Sequence, residues 1–258
     1  MLCKDIICVI EHTYPKQAAL EWDNVGLLAG RTGKEVKKIY VALDATDEVI
    51  EDAIAKEVDM LVTHHPLIFS PLKTITDECF ISSRVVKLLQ HDISYYAMHT
   101  NYDVLAMARL SAELMGLQDT EVLEVTNEDK KEGIGRVGDF ESSITLQECG
   151  QMVKERFELE TVKIFGDMEK KVKRIAISPG SGKHMSELAL SKKADVFITG
   201  DIDHHEGIDA MARGMAIIDA GHYGLEHIFV DNVANYLTEN IEGVEIEKAK
   251  KSHPFQVI

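Results

Sequence analysis

Short apolar segments rich in β-branched residues, each followed by an amphipathic stretch of helical length, constrain this chain more than any other feature. Residues 37–43 (KKIYVAL) read as a strand. Thr46 then caps a helix through Lys56, with Asp47 and Glu48 in the first turn, where the helix dipole favours them. Residues 60–63 (MLVT) form the next strand, 83–90 (SRVVKLLQ) a helix and 93–98 (ISYYAM) a further strand. Strands alternating with helices of this length imply parallel βαβ units.

The pattern then recurs. Residues 173–178 (KRIAIS) read as a strand, 185–193 (MSELALSKK) as a helix, and 195–199 (DVFIT) and 215–219 (MAIID) as strands. One offset of 136 residues carries Ile39-Tyr40-Val41 onto Ile175-Ala176-Ile177 and 59–63 onto 195–199. A slightly shorter offset aligns YYAMHTNYD (95–103) with AIIDAGHYGLE (216–226). The expected fold class is therefore α/β: two similar α/β lobes, each a mixed, largely parallel sheet flanked by helices. Lobe one takes 1–125 plus 235–258 and lobe two 126–234. The polar stretch 120–132 (TEVLEVTNEDKKE) is expected to cross from one half to the other. The tail begins as a helix from Asp231, and 244–248 (VEIEK) reads as one more strand returning to the first half.

Length and composition suit a globular protein with a real core: 258 residues, 45% hydrophobic and 28% charged. No run approaches the ~18 apolar residues of a membrane span. Lys4, Asp5 and Glu11 interrupt the N-terminal apolar run before a secretory signal can form. The four cysteines (Cys3, Cys8, Cys79, Cys149) are scattered, without a Cys-x-x-Cys pair. That suits reduced thiols in a cytoplasmic protein rather than a disulfide framework or a thiolate metal site. A formal net charge of -16 counts against nucleic acid as a partner.

Histidine is the unusual component, with seven of eleven in four short segments. Three strand ends collect them with carboxylates: His64-His65, His99-x-x-x-Asp103 and His222-x-x-x-Glu226. In parallel α/β sheets, ligands bind outside the carboxyl ends of the strands. Beyond the strand end, side chains no longer alternate between the two faces, and Pro66 biases His65 to an extended or turn conformation. Taken singly, a His-His-Pro is commonly a turn and an HxxxD a helical ion pair. Three together at strand ends point to metal. The candidate ligands are His64, His65, Asp103, His222 and Glu226, with His99 nearby. Imidazoles and carboxylates without thiolate suit Zn, Fe, Mn, Co or Ni, and five or six donors suit two divalent transition-metal ions rather than one. His99 and His205 are candidate general acids or bases.

Other motifs carry less. Asp201 and His205, in GDIDHHEG (200–207), either line the same cleft or cap the helix that follows. Asp23 and Asn24, beside Trp22 in the loop LEWDNVG (20–26), either touch substrate or anchor the N-terminal helix. SPGSGKH (178–184) is not a phosphate loop of Walker type, because Ile177 and His184 stand where glycine and Ser/Thr are needed. A tight turn is expected there in preference to an anion or phosphate site built from its amides and Lys183.

Together WDNVGLLAG (22–30), VTHHPLIF (62–69), HTNYD (99–103), GIGRVG (133–138), ITGDIDHH (198–205) and GHYGLE (221–226) resemble the YbgI family. Its members bear the name GTP cyclohydrolase 1 type 2, and it is also called the NIF-three-like family. The resemblance covers nearly the whole chain and the short form without an inserted domain. It implies a dinuclear metal centre in the cleft between two lobes, with ligands carried onto His64, His65, Asp103, His222 and Glu226. It also implies a toroidal homohexamer. The expected activity is water activated by metal attacking a small molecule such as a nucleotide or related heterocycle. The alternatives are a non-catalytic, ring-shaped metal-binding scaffold or regulator for a protein partner, and a metal buffer.

Overall fold

A computed structural model describes residues 1–255. The chain opens with helix α1 (Cys3–Thr13), followed by strands β1 (Gly26–Ala29) and β2 (Lys38–Ala42). Helix α2 (Asp47–Ala55), strand β3 (Met60–Thr63), helix α3 (Phe80–Gln90) and strand β4 (Ser94–Ala97) come next. A helical turn, α4 (Thr100–Tyr102), runs through a π-helical stretch (Asp103–Met107) into α5 (Ala108–Met115). Strands β5 (Gln118–Asn127) and β6 (Glu132–Thr145) precede α6 (Leu146–Arg156), β7 (Lys163–Phe165), β8 (Lys171–Ser181) and α7 (Met185–Ser191). The remainder is β9 (Val196–Gly200), α8 (His204–Ala212), β10 (Ala216–Asp219), α9 (His222–Glu226), α10 (Ile228–Asn240) and β11 (Glu245–Lys248).

These elements divide into two compact units, one of Met1–Tyr102 with Phe229–Ser252, the other of Asp103–Ile228 with the described residues from His253. The division falls at Tyr102/Asp103, earlier than the boundary expected near 125. The stretch read as a crossing accounts for the difference. Residues 118–127 are β5, an edge strand hydrogen-bonded antiparallel to β6. Leu123 is its one fully buried side chain, so an edge strand with water around it has the composition of a linker.

The first unit holds a five-stranded sheet in the order β1-β4-β3-β2-β11. All neighbours run parallel except the antiparallel pair β1 and β4. The chain returns through α10, and β11 lies parallel to β2, as 244–248 led one to expect. Along β2 both Ile39 and Val41 and the alternate Tyr40 and Ala42 are buried, so this sheet is covered on both faces.

The second unit holds a six-stranded sheet, β5-β6-β8-β9-β10-β7, with a parallel centre of β8, β9 and β10 and antiparallel edges. Ile175, Ile177 and Ile198 enter one core cluster, while Ala176, Phe197 and Ile217 enter another. The period of two along each strand feeds both faces.

The internal repeat holds at the level of single hydrogen bonds. Asp59 Oδ2 accepts from the amides of Lys37 and Lys38 at 2.8 and 3.1 Å, and Asp195 Oδ2 from those of Lys173 and Arg174 at 2.8 and 2.9 Å. Lys34 Nζ donates to the carbonyls of Asp59 and Asp92, and Lys170 Nζ to those of Asp195 and Gly214. Each lysine ties together the entries of three neighbouring strands, and the offset of 136 relates them.

Candidate metal centre

In the first unit the two histidines stand just past β3. Both of their amides donate to the Leu43 carbonyl, at 3.1 Å for His64 and 3.0 Å for His65, which ends the ladder and turns the chain. The buried Tyr95 hydroxyl pins this turn. It donates to the His65 carbonyl at 3.0 Å and accepts from the Leu67 amide at 2.8 Å. Burial pushes its pKa up to about 12, so it stays a phenol.

Three imidazoles gather here. The ring centroids of His64, His65 and His99 lie 4.9, 5.3 and 5.7 Å apart, and one nitrogen from each falls within 4.8 Å of the others. Every Nδ1 is taken up by an oxygen. His64 Nδ1 donates to the Met98 carbonyl at 2.8 Å; His65 Nδ1 pairs with Asp44 Oδ1 at 2.7 Å and His99 Nδ1 with Asp23 Oδ1 at 2.9 Å. A carbonyl or carboxylate can only accept, so each ring carries its proton on Nδ1 and presents Nε2 as the donor atom. Metal-ligating histidines are usually held in this way.

Asp23 and Asn24 serve the frame of this site. The Asp23 carboxylate is shut off from solvent and accepts from His99 and from the amide and hydroxyl of Thr100. Burial alone would raise its pKa, but the hydrogen bonds from His99 and Thr100 outweigh that and hold it at about 2. Asn24 Nδ2 donates to the Ile68 carbonyl at 2.5 Å.

The second unit collects Asp103, His222 and Glu226. Helix α9 starts at His222 itself, after Gly221 at φ 76°, so the four-residue spacing puts His222 and Glu226 on one face. His222 Nε2 lies 3.0 Å from Glu226 Oε2, and its Nδ1 pairs with Asp201 Oδ2 at 2.7 Å. Asp103 opens the π-helical stretch, a distortion that often accompanies function, and offers an oxygen within 4.8 Å of Glu226. Two carboxylates so close, one of them buried, repel unless a cation lies near.

The tight turn expected over 178–184 falls at its end, where the Met185 amide donates to the Gly182 carbonyl at 3.0 Å, because β8 continues to Ser181 with Gly180 at φ +81°. A Cβ at Gly180 would stand 2.5 Å from Glu226 Oε1, so this glycine admits the carboxylate. His205 is not gathered with these residues. It sits in the first turn of α8 and lines a cavity of about 280 Å³ with Lys183, His184, Asp203 and Arg213, whose lining includes none of Asp103, His222 or Glu226. Asp203, rather than Asp201 or His205, caps the helix, accepting from the Glu206 amide at 2.9 Å. Asp44 escaped the sequence reading, although it follows β2 at a strand's carboxyl end, where the same rule would have looked.

Imidazole nitrogens and carboxylate oxygens without thiolate fit first-row divalent ions, and His64, His65, His99 and His222 have the outer hydrogen bonds that such ligands need. Fold and donor set thus define an α/β protein with histidine–carboxylate groups able to hold metal at its strand ends. Residues 1–254 match the Duf34/NIF3 (NGG1p interacting factor 3) family, and the chain belongs to it. It is 37% identical over 261 residues to a GTP cyclohydrolase 1 type 2 homolog of Lactococcus lactis, covering 99% of both proteins. A protein of the same name from Clostridium acetobutylicum is 36% identical over 226 residues, covering 86% of this chain and 84% of that one. The crystal structure of a Bacillus cereus protein related to NIF3 superposes with a TM-score of 0.93 at 26% identity, covering 100% of this chain and 99% of that one.

Proposed function

We propose that the chain is a metal-dependent hydrolase of the GTP cyclohydrolase 1 type 2 kind, with His64, His65, Asp103, His222 and Glu226 holding two divalent transition-metal ions in one centre. The observation that supports this is the state of four imidazoles, His64, His65, His99 and His222, each with Nδ1 engaged by an oxygen. Such ions, when bound, make hydroxide available from water at neutral pH and polarise the bond under attack.

The chain's own residues do the rest. The Met98 carbonyl, Asp44 and Asp201 engage Nδ1 of three ligand rings and fix their direction. His99, backed by Asp23, holds and returns a proton at Nε2 as general acid/base. Relatives named GTP cyclohydrolase 1 type 2 homolog support a nucleotide or related heterocycle as substrate. The family resemblance extends the proposal to a cytoplasmic, toroidal homohexamer.

The test is metal analysis of the purified protein joined to a nucleotide screen that follows loss of the purine absorbance. Wild type should bind metal and turn over a substrate. Chelation, and His64→Ala combined with Asp103→Ala, should abolish both. Turnover that survives metal removal would exclude the mechanism. Stoichiometric metal without turnover of any heterocycle would favour the non-catalytic metal scaffold.

A further inference from the structure

Trp22 is the only tryptophan of the chain. It is 58% exposed and stands beside Phe69, itself 53% exposed. The two rings lie 5.7 Å apart at a 45° tilt, and Trp22 meets His99 edge-on at 6.0 Å. A large ring left in water usually belongs to a loose surface loop, but this one is tied down on both sides. Asn24 holds the carbonyl of Ile68, the residue before Phe69. Asp23 holds His99 and Thr100, and the Leu20 amide donates to Thr100 Oγ1 at 2.9 Å. The polar neighbours of Trp22 are thus engaged with the segments that carry Phe69 and His99, while the indole itself stays largely in water.

We propose that Trp22 and Phe69 form an aromatic platform that receives the planar heteroaromatic ring of the substrate beside His99. The proposal deepens the hydrolase reading and rests on it for the reaction that follows binding. The metal-type ligands of the site offer a substrate only charge and lone pairs, which recognise phosphate or carbonyl oxygens and not a ring. An indole face supplies the missing term, because every heterocyclic base has a π face to stack on it. Such a platform selects for planarity and tolerates different bases. The edge-on contact with His99 keeps the proton-carrying imidazole beside any ring held there.

Because Trp22 is the only tryptophan, its emission reports on this position alone. The probes are guanosine, with ribose 5-phosphate and inorganic triphosphate as ring-free controls, titrated into metal-loaded and chelator-treated full-length protein. Guanosine should change the emission saturably in both forms, and the ring-free probes should not. By equilibrium dialysis, Trp22→Ala should weaken guanosine binding on the order of tenfold, the loss of one ring contact. Trp22→Phe should retain most of the affinity, and both variants should keep wild-type metal content. Equal guanosine affinity in wild type and Trp22→Ala, with metal content intact, would overturn the platform alone. Absence of metal binding with the guanosine response preserved would overturn the hydrolase reading and leave the platform standing. Emission that shifts with protein concentration and ignores guanosine would assign the patch to a second copy of the chain and overturn the proposal.

Discussion

His64 donates its Nδ1 proton to a carbonyl that can only accept, so the lone pair on Nε2 is fixed before any ligand arrives. Asp44 and Asp23 do the same for His65 and His99 through carboxylates, and Asp201 engages His222 Nδ1, whose Nε2 faces Glu226 Oε2 at 3.0 Å. Asp23 also gives a pH signature. Its folded pKa of about 2 lies below the ordinary 3.8, so its contribution to stability is complete above about pH 4 and is lost as pH falls through 2. Asp23→Asn should therefore flatten the decline of the melting temperature between pH 4 and 2, measured by thermal melts. Gly180 permits a second prediction. Gly180→Ala combines positive φ with a Cβ 2.5 Å from Glu226 Oε1, whereas Gly243→Ala has φ +73° with nothing within 4 Å. Both should lose on the order of 1 kcal/mol of stability from backbone strain. Only Gly180→Ala should also weaken metal binding, by roughly 10–100-fold in chelator competition, the range seen when a ligand's support is disturbed. Equal metal affinity in the two variants would show that Glu226 does not depend on this glycine. The histidines were legible in the sequence because two adjacent imidazoles after an apolar strand are rare. Asp44 was not: it is one of 44 acidic residues, and its contact with His65 spans 21 positions.

At the scale of elements, β3, β4, β9 and β10 read correctly because each is buried on both faces and carries the apolar run that a covered parallel strand requires. Strand β5 reads as a linker for the converse reason, since an edge strand in water needs little apolar surface. Helix α9 starts at His222, where Gly221 at φ 76° supplies the turn that a side chain would resist. The repeated aspartate makes a prediction that belongs to this scale. Asp59 and Asp195 each close two strand amides, and removing either leaves those donors without their acceptor. Asp59→Ala and Asp195→Ala should each cost about 1–3 kcal/mol in urea unfolding, at similar m-values. A large loss in one and none in the other would mean that the two hydrogen-bonded corners are alike in geometry only.

For the whole molecule, the proposed two-ion centre predicts that the ligands from the first unit, His64 and His65, and those from the second, Asp103, His222 and Glu226, bind metal as one coupled set. A net charge of -16 draws divalent cations towards the protein in general, so affinity alone cannot decide. Coupling can. Independent sites lose affinity additively when one residue of each is removed, whereas ligands of a shared centre do not, because the second removal acts on a site already damaged. His65→Ala, Glu226→Ala and the double variant, titrated with Zn²⁺ against a chromophoric chelator at fixed ionic strength, form the cycle. A shared centre predicts a coupling of about 1 kcal/mol or more, with the double variant scarcely weaker than the worse single one. Additivity within about 0.5 kcal/mol, with one class of ion lost in each single variant, would divide the ligands into two separate sites. The same titrations should raise the unfolding temperature of wild type, since an ion at 100 times its dissociation constant contributes about 2.7 kcal/mol to the folded state. In a shared centre either single substitution removes most of that gain, because each strips a ligand from the same pair of ions. Two separate sites would let each variant keep the part contributed by the intact group.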